Sequence, residues 1–152
     1  MSRLITAKNV FLHVKAQNVD EVLAFLSQKA KELGYASDDQ EVLRSFKERE
    51  ALDSTGMADG FALPHAKTDA ISEEAVLVAK LDNDVDWKTR DKVPIRVAIA
   101  ILTPGKFIGT KHLVVLSKIA SMLMGKSTRD QIINSGDPDE IAKIISDVID
   151  EN

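Results

Sequence analysis

The chain has 152 residues, of which 44% are hydrophobic and 29% charged, with a formal net charge of −4. That length supports one domain with a packed core, and a negative balance without any Lys/Arg run argues against nucleic-acid binding. The absence of cysteine removes disulfides, thiolate nucleophiles and cysteine-ligated zinc together.

The stretch from Met1 to Ala16 carries neither an apolar leader core nor a small-residue cleavage site. No window approaches the ~20 apolar residues of a membrane span. A cytoplasmic chain with no membrane insertion of its own is therefore expected.

Residues 9–16 alternate loosely and include β-branched and aromatic side chains, which predicts a strand. His13 lies in it, and a lone histidine in such a segment reads as a structural or surface residue. From Val19 the period becomes helical, with Val22, Leu23, Leu26, Ala30 and Leu33 on one face and Gly34 as the stop. A second helix is expected to open at Ser37, because Ser37 and Gln40 have capping-box spacing. Its apolar face runs through Val42, Leu43 and Phe46, and Arg49 and Glu50 fall near its end.

Asp53 to Gly60 is turn chemistry without a periodic face. Gly60 to Lys67 then reads as a strand that Pro64 ends or confines to an edge. Ala75 to Leu81 is a strand apolar enough to be buried on both faces. Val93 to Leu102 is another, stopped by Thr103-Pro104-Gly105.

A helix follows from about Thr110 to Gly125, with Leu113, Leu116, Ala120 and Leu123 as its stripe, and a short one over Ser127 to Ser135. Asp137-Pro138 opens the last helix, with Asp as N-cap, Pro at the first helical position and Asp139 and Glu140 suiting the positive dipole end. Its buried face is Ile141, Ile144, Ile145 and Val148. Two early helices, central strands and three late helices predict a three-layer α/β/α sandwich with a mixed central sheet, as one domain over residues 1–152.

His65 is the residue with a chemical claim. Pro64 biases Leu63 away from the helical region, so the chain reaches His65 extended, where a strand should give way to a loop. Neutral imidazole is a nucleophile near pH 7 and can carry a transferred group. Lys67 and Thr68 could offer a charge and a hydroxyl to an incoming anion.

A second histidine, His112, follows Gly109-Thr110-Lys111 in the first turn of a predicted helix, where free N–H groups favour phosphate. On these residues alone, a histidine that merely occupies a loop and one that decorates a helix start remain open readings. A zinc site from the two histidines and Asp69 lacks the usual short-range His spacing. A serine hydrolase lacks its G-x-S-x-G elbow, and no Walker or dinucleotide glycine motif supports a nucleotide cofactor.

Residues 49–65, REALDSTGMADGFALPH, resemble the signature of the fructose/mannitol-class (type 2) IIA domain of the bacterial phosphoenolpyruvate-dependent sugar phosphotransferase system. The match is ungapped at Arg49-Glu50, Ser54-Thr55-Gly56, Gly60 and Pro64-His65; Asp53, Met57 and Ala58 depart from the pattern. Val85-Asp86-Trp87 with Asp91, the strand from Val97 to Pro104, and His112-Leu113 through Leu116-Ser117, Ile119 and Ala120 continue the likeness over almost the whole chain.

The resemblance implies a phosphocarrier. His65 would take a phosphoryl group, on Nε2, from the phosphohistidine of the carrier HPr. It would pass that group to the cysteine of a IIB component serving a membrane IIC component. His112 and Arg49 would hold supporting roles, and an apolar docking patch would draw on Met57, Phe61 and Phe107. The alternatives are a regulatory, nitrogen-type IIA protein that signals through its phosphorylation state, and a binding module that has lost phosphoryl traffic. From the residues themselves, an Arg49 salt bridge to Glu48 or Glu50 stands beside the supporting role.

Overall fold

The computed structural model describes residues 4–107 and 111–151, with the backbone alone at Lys111 and His112. Strand β1 (Val10–Val14) leads into helices α1 (Val19–Glu32) and α2 (Asp39–Leu52). The short strands β2 (Phe61–Ala62) and β3 (His65–Thr68) follow, then the long strands β4 (Ala75–Val85) and β5 (Ile95–Pro104). Helices α3 (Lys111–Met122), α4 (Lys126–Asn134) and α5 (Pro138–Asp150) close the chain.

β4 and β5 are the antiparallel centre of the sheet. β1 adds in parallel to the free side of β4, and β2 and β3 add in parallel to β5. The sheet is thus mixed, with β1 at one margin and β2 and β3 at the other.

Side-chain alternation along the two central strands explains the layers. Ala75, Leu77, Ala79 and Leu81 of β4, with Ala98, Ala100 and Leu102 of β5, face a core built with Val22, Leu23, Leu26, Ala30, Val42 and Phe46 of α1 and α2. The opposite face presents Val76, Val78, Val97, Ile99 and Ile101 to Val115, Ile119, Met122, Ile132, Ile141 and Ile145 of α3, α4 and α5. Alanines towards two helices and β-branched residues towards three divide one sheet between two helical layers, the α/β/α sandwich read from the sequence.

Three local expectations change. Helix α2 is capped by Asp38, which accepts from the N–H groups of Gln40 and Glu41. Ser37 lies one residue too early, and its N–H and hydroxyl both donate to the Ala70 carbonyl, in a pairing of Ala36 with Ile71. In α3, Leu113 is 47% exposed and the buried side is Val115, Ile119, Met122 and Leu123, so the helix is rolled from the expected stripe. Thr110, its expected start, lies outside the described residues.

The third change concerns Pro64. β2 and β3 pair with β5 at one constant offset, Phe61 with Val97 and Ala62 with Ala98 before the proline, His65 with Ile101 after it. They form one edge line interrupted at Leu63 and Pro64, and His65 stands at the first position of a strand rather than in a loop. Pro64 still takes part through its carbonyl, which accepts the Ile101 N–H at 3.0 Å. Its nitrogen faces β5 as well and has no N–H to give, so one ladder bond is missing there and the line is interrupted.

The last helix forms as its sequence requires: Asp137 accepts from the Asp139 N–H and Pro138 occupies the first turn. Ile141, Ala142 and Ile145 are fully buried, and Ile144 and Val148 pack partly buried beside them.

Candidate functional site

The segment before β2 is a small hairpin. The Phe61 N–H bonds the Ala58 carbonyl across Asp59 and Gly60, and both central residues have positive φ, 61° and 86°. That is the requirement of a primed two-residue hairpin turn, which Asp-Gly meets with least strain. The Met57 N–H donates to the Phe61 carbonyl, Gly56 bridges Ala62, and the Leu63 N–H donates to the Thr55 carbonyl at 3.0 Å. Phe61 and Leu63 thus face the hairpin, while the Gly60 and Pro64 carbonyls on the other side of the strand face β5.

The Leu63 carbonyl, on that outward side, meets His65. Nδ1 of His65 lies 2.7 Å from Leu63 O. A carbonyl can only accept, so Nδ1 carries the hydrogen. Arg49 Nε–H donates to His65 Nε2 at 3.1 Å, which requires a lone pair on that nitrogen. The two bonds agree on one neutral tautomer, protonated at Nδ1 and nucleophilic at Nε2. Arg49 is itself held by a bond from Nη1 to the Asp53 carbonyl at 2.8 Å. A salt bridge from Arg49 to Glu48 or Glu50 is not among the ion pairs of the described residues.

Glu50 faces the other way. Its carboxylate accepts the Thr55 N–H at 2.8 Å, the Thr55 hydroxyl at 2.5 Å and the Trp87 indole N–H at 2.8 Å. Ser54 donates to the Lys88 carbonyl at 2.6 Å. Gly56 fits beneath that carbonyl so closely that a Cβ would sit 2.5 Å from it. The hairpin is thus clamped between the end of α2 and residues 87–89. Asp91 completes the clamp: the Asp59 N–H, then the Val93 N–H, hold its carboxyl below the usual carboxylate range.

Two clefts meet at His65. One, of about 400 Å³, is lined by Arg49, His65, Met57, Lys88, Arg90 and Leu116 among others. Lys88 and Arg90 point no ion pair elsewhere among the described residues, so this side is cationic in a chain of net negative charge. The other, of about 440 Å³, is walled by Leu52, Leu113 and Leu116, with Glu48 and Lys67 at its rim. The exposed part of the α3 stripe is therefore the apolar wall beside the imidazole. Leu52, 83% exposed, belongs to the same wall.

Of the residues singled out from sequence, Arg49 and His65 are brought into direct contact. Lys67 reaches the second cleft, but Thr68 lines neither and accepts the Ala70 N–H with its hydroxyl. The side chain of His112 lies outside the described residues; its backbone falls in the first turn of α3. Of the docking candidates, Met57 lines the first cleft, Phe61 is fully buried in the core, and Phe107 lines neither cleft. Among the described residues no group of three or more His, Asp or Glu is arranged to hold a metal, and no helix is long and apolar enough to cross a membrane.

Thr55, Leu63, Trp87, Lys88 and Arg90 were not singled out for the site. Trp87 carried a usable signal: a buried indole N–H needs an acceptor, and Glu50 supplies it. The Leu63 carbonyl carried none, because backbone acceptors are the same at every position.

Fold and site together define an α/β/α domain with an edge-strand histidine held in one tautomer beside an arginine. Residues 3–148 match the family described as "Phosphoenolpyruvate-dependent sugar phosphotransferase system, EIIA 2", and the chain belongs to that family. It is 29% identical over 128 residues to the PTS system fructose-specific EIIA component of Haloferax volcanii, covering 84% of this chain and 82% of that one. It is 28% identical over 148 residues to the mannitol-specific phosphotransferase enzyme IIA component of Geobacillus stearothermophilus, covering 95% and 97%.

Other relatives are much longer. The chain spans 21% of the Escherichia coli PTS system 2-O-alpha-mannosyl-D-glycerate-specific EIIABC component, at 28% identity over 137 residues. Two solved structures share the fold. Nitrogen regulatory protein IIA-Ntr from Neisseria meningitidis has a TM-score of 0.85 at 21% identity, covering 93% of this chain and 96% of that one. Enzyme IIAMTL of Escherichia coli, solved with phosphorylated enzyme IIBMTL, has a TM-score of 0.79 at 20% identity, covering 94% and 97%.

Proposed function

We propose that this chain is a cytoplasmic phosphocarrier of sugar uptake, acting as one domain, and that Nε2 of His65 is the atom that carries the phosphoryl group. The observation that carries this reading is the tautomer: Nδ1–H is committed to the Leu63 carbonyl, and Nε2 keeps its lone pair where the two clefts meet. In the transfer, the Nε2 lone pair attacks phosphorus of the phosphohistidine on HPr. The new N–P bond forms as the donor's N–P bond breaks, and that electron pair returns to the donor imidazole. The proton stays on Nδ1, hydrogen-bonded to the Leu63 carbonyl, which steadies the positive charge that develops on the ring.

Phosphoryl transfer needs positioning and neutralisation of charge on the equatorial oxygens more than covalent help. Arg49 suits this task. In the resting site its Nε–H covers the Nε2 lone pair, and a small rotation moves the same planar donors onto phosphoryl oxygens. Lys88 and Arg90 add positive charge on the side from which a dianion would arrive. His112 keeps the supporting role that its family motif implies.

The onward acceptor is the cysteine of a IIB component, which a chain without cysteine has to find elsewhere. Relatives near 28–29% identity are named for fructose and mannitol, whereas the nitrogen-regulatory likeness at 21% is one of fold. A fructose- or mannitol-class carrier is therefore favoured over a purely regulatory one.

The test is incubation with phosphoenolpyruvate, the general donor enzyme and HPr. One phosphate per chain is expected, alkali-stable and acid-labile, with nitrogen-15 shifts that place it on Nε2. A protein left unmodified under conditions that phosphorylate another IIA domain would end this proposal.

A further inference from the structure

Three donors converge on the carboxylate of Glu50, yet the transfer described above makes no use of it. The hydrogen bonds do not stop there. Glu50 holds Thr55 by both its N–H and its hydroxyl, the Thr55 carbonyl accepts the Leu63 N–H, and the Leu63 carbonyl accepts Nδ1–H of His65. We propose that Glu50 is a positioning residue that selects the Nδ1–H tautomer of His65 through Thr55 and Leu63, and so leaves Nε2 as the nucleophile. Its functional meaning rests on the phosphocarrier reading; the tautomer itself can be measured without any donor protein.

The physical argument begins with the imidazole. A neutral histidine side chain in water prefers its proton on Nε2, so the opposite tautomer needs a fixed acceptor at Nδ1. The Leu63 carbonyl can serve because strand alternation points both Leu63 backbone groups away from β5, whose ladder takes the Gly60 and Pro64 carbonyls instead. What holds the Leu63 N–H is the Thr55 carbonyl, on the first strand of the hairpin.

Glu50 supplies that anchor from the last turn of a 14-residue helix, through bonds strengthened by its charge. Thr55 is only 3% exposed, so its polar groups need such partners. Adjacent residues on one helical turn thereby govern both ring nitrogens. Arg49 meets Nε2 directly, and Glu50 sets Nδ1 through three successive links.

A residue that merely stapled the hairpin down would change stability and leave the tautomer alone. The distinguishing measurement is nitrogen-15 multiple-bond NMR on the full chain with labelled histidine, at a pH where His65 is neutral. In the wild type, Nδ1 should be protonated and Nε2 bare. In Glu50→Ala the ratio of Nδ1–H to Nε2–H tautomer should fall about fivefold, as expected for one weakened hydrogen bond. Thr55→Val, which keeps shape and backbone N–H but loses the hydroxyl, should fall by less. Glu50→Gln, which keeps an acceptor oxygen, should restore the wild-type ratio, and His13 should not respond in any variant.

A folded Glu50→Ala with an unchanged His65 tautomer would overturn the proposal. If that variant does not fold, an unchanged ratio in Thr55→Val overturns it equally. The two readings separate cleanly. A wild type with the Nδ1–H tautomer that takes no phosphate defeats the phosphocarrier reading alone. A phosphorylatable protein whose tautomer ignores Glu50 defeats only the positioning role.

Discussion

His13 and His65 lie on strands at opposite margins of one sheet, and their surroundings differ in every respect that matters for chemistry. His13 is 83% exposed at its side chain and has Asp82 at 3.1 Å from Nδ1. Its backbone has φ of 57°, where the pairing of β1 with β4 slips between Phe11 and Val14. Among the described residues no hydrogen bond holds its other nitrogen. His65 is half-buried, with a backbone carbonyl at one nitrogen, an arginine at the other and a cleft on either side. The difference teaches that an imidazole becomes a specific nucleophile when a neighbour commits one nitrogen and so defines the other. A flexible carboxylate on the surface does not do that.

The comparison breaks most visibly on replacing each histidine. His65→Ala should take up no phosphate from phospho-HPr while remaining folded, measured by intact mass and circular dichroism. Uptake at another histidine at the wild-type rate would dissolve the contrast. Next in size is Arg49→Ala, which removes the donor at Nε2. Its transfer rate should drop on the order of 100-fold, the scale of losing one preorganised donor. Arg49→Lys should fall between, because it keeps charge without the planar fork.

Gly56→Ala tests whether the clamp behind His65 is as tight as it looks. A Cβ there meets the Lys88 carbonyl and the Trp87 ring, and overpacking of this kind costs about 1–3 kcal/mol. Urea unfolding should show that loss, with slower transfer if the hairpin shifts. Asp91→Asn probes the same clamp through pH. A carboxyl with its folded pKa depressed adds stability above its unfolded value, near 3.9, which disappears as pH falls through the folded value. The variant should be less stable at pH 7 and lose less on acidification than the wild type.

The smallest effect belongs to the other margin. His13→Ala gives up one exposed contact with Asp82, worth less than about 1 kcal/mol. It should leave phosphoryl transfer at the wild-type rate. A large loss of transfer in that variant would show that the two margins are coupled, which nothing in the packing suggests.

Much of the architecture was legible in advance because it depends on local periodicity. The apolar period of α1, the Asp-Pro start of α5 and the near-continuous apolar runs of β4 and β5 each specify an element and its buried side without reference to distant residues. The site was legible only in part. Pro64-His65 announced a strand margin with a reagent, and the Arg-Glu pair was visible as a motif.

The failures share a cause. Ser37 has capping-box spacing, but Ala70, far along the chain, takes both its N–H and its hydroxyl, and Asp38 caps the helix. Leu113 looked like core until the roll of α3 turned it to a cleft. Pro64 reads as ending a strand or confining it to an edge. The edge reading holds, but β5 carries the line past the proline, so that His65 opens a strand rather than a loop.

By itself, then, the sequence determined the elements, the layers and which imidazole to watch, since these follow from spacing along the chain and from the restricted backbone of proline. Only the tertiary structure decided what leaves Nε2, the atom the family resemblance implies, with its lone pair. That depends on where the Leu63 carbonyl points and where the Arg49 guanidinium reaches. Both are set by hydrogen bonds joining a helix end, a hairpin and a tryptophan that lie up to 37 residues apart in the chain, and no local pattern encodes such a meeting.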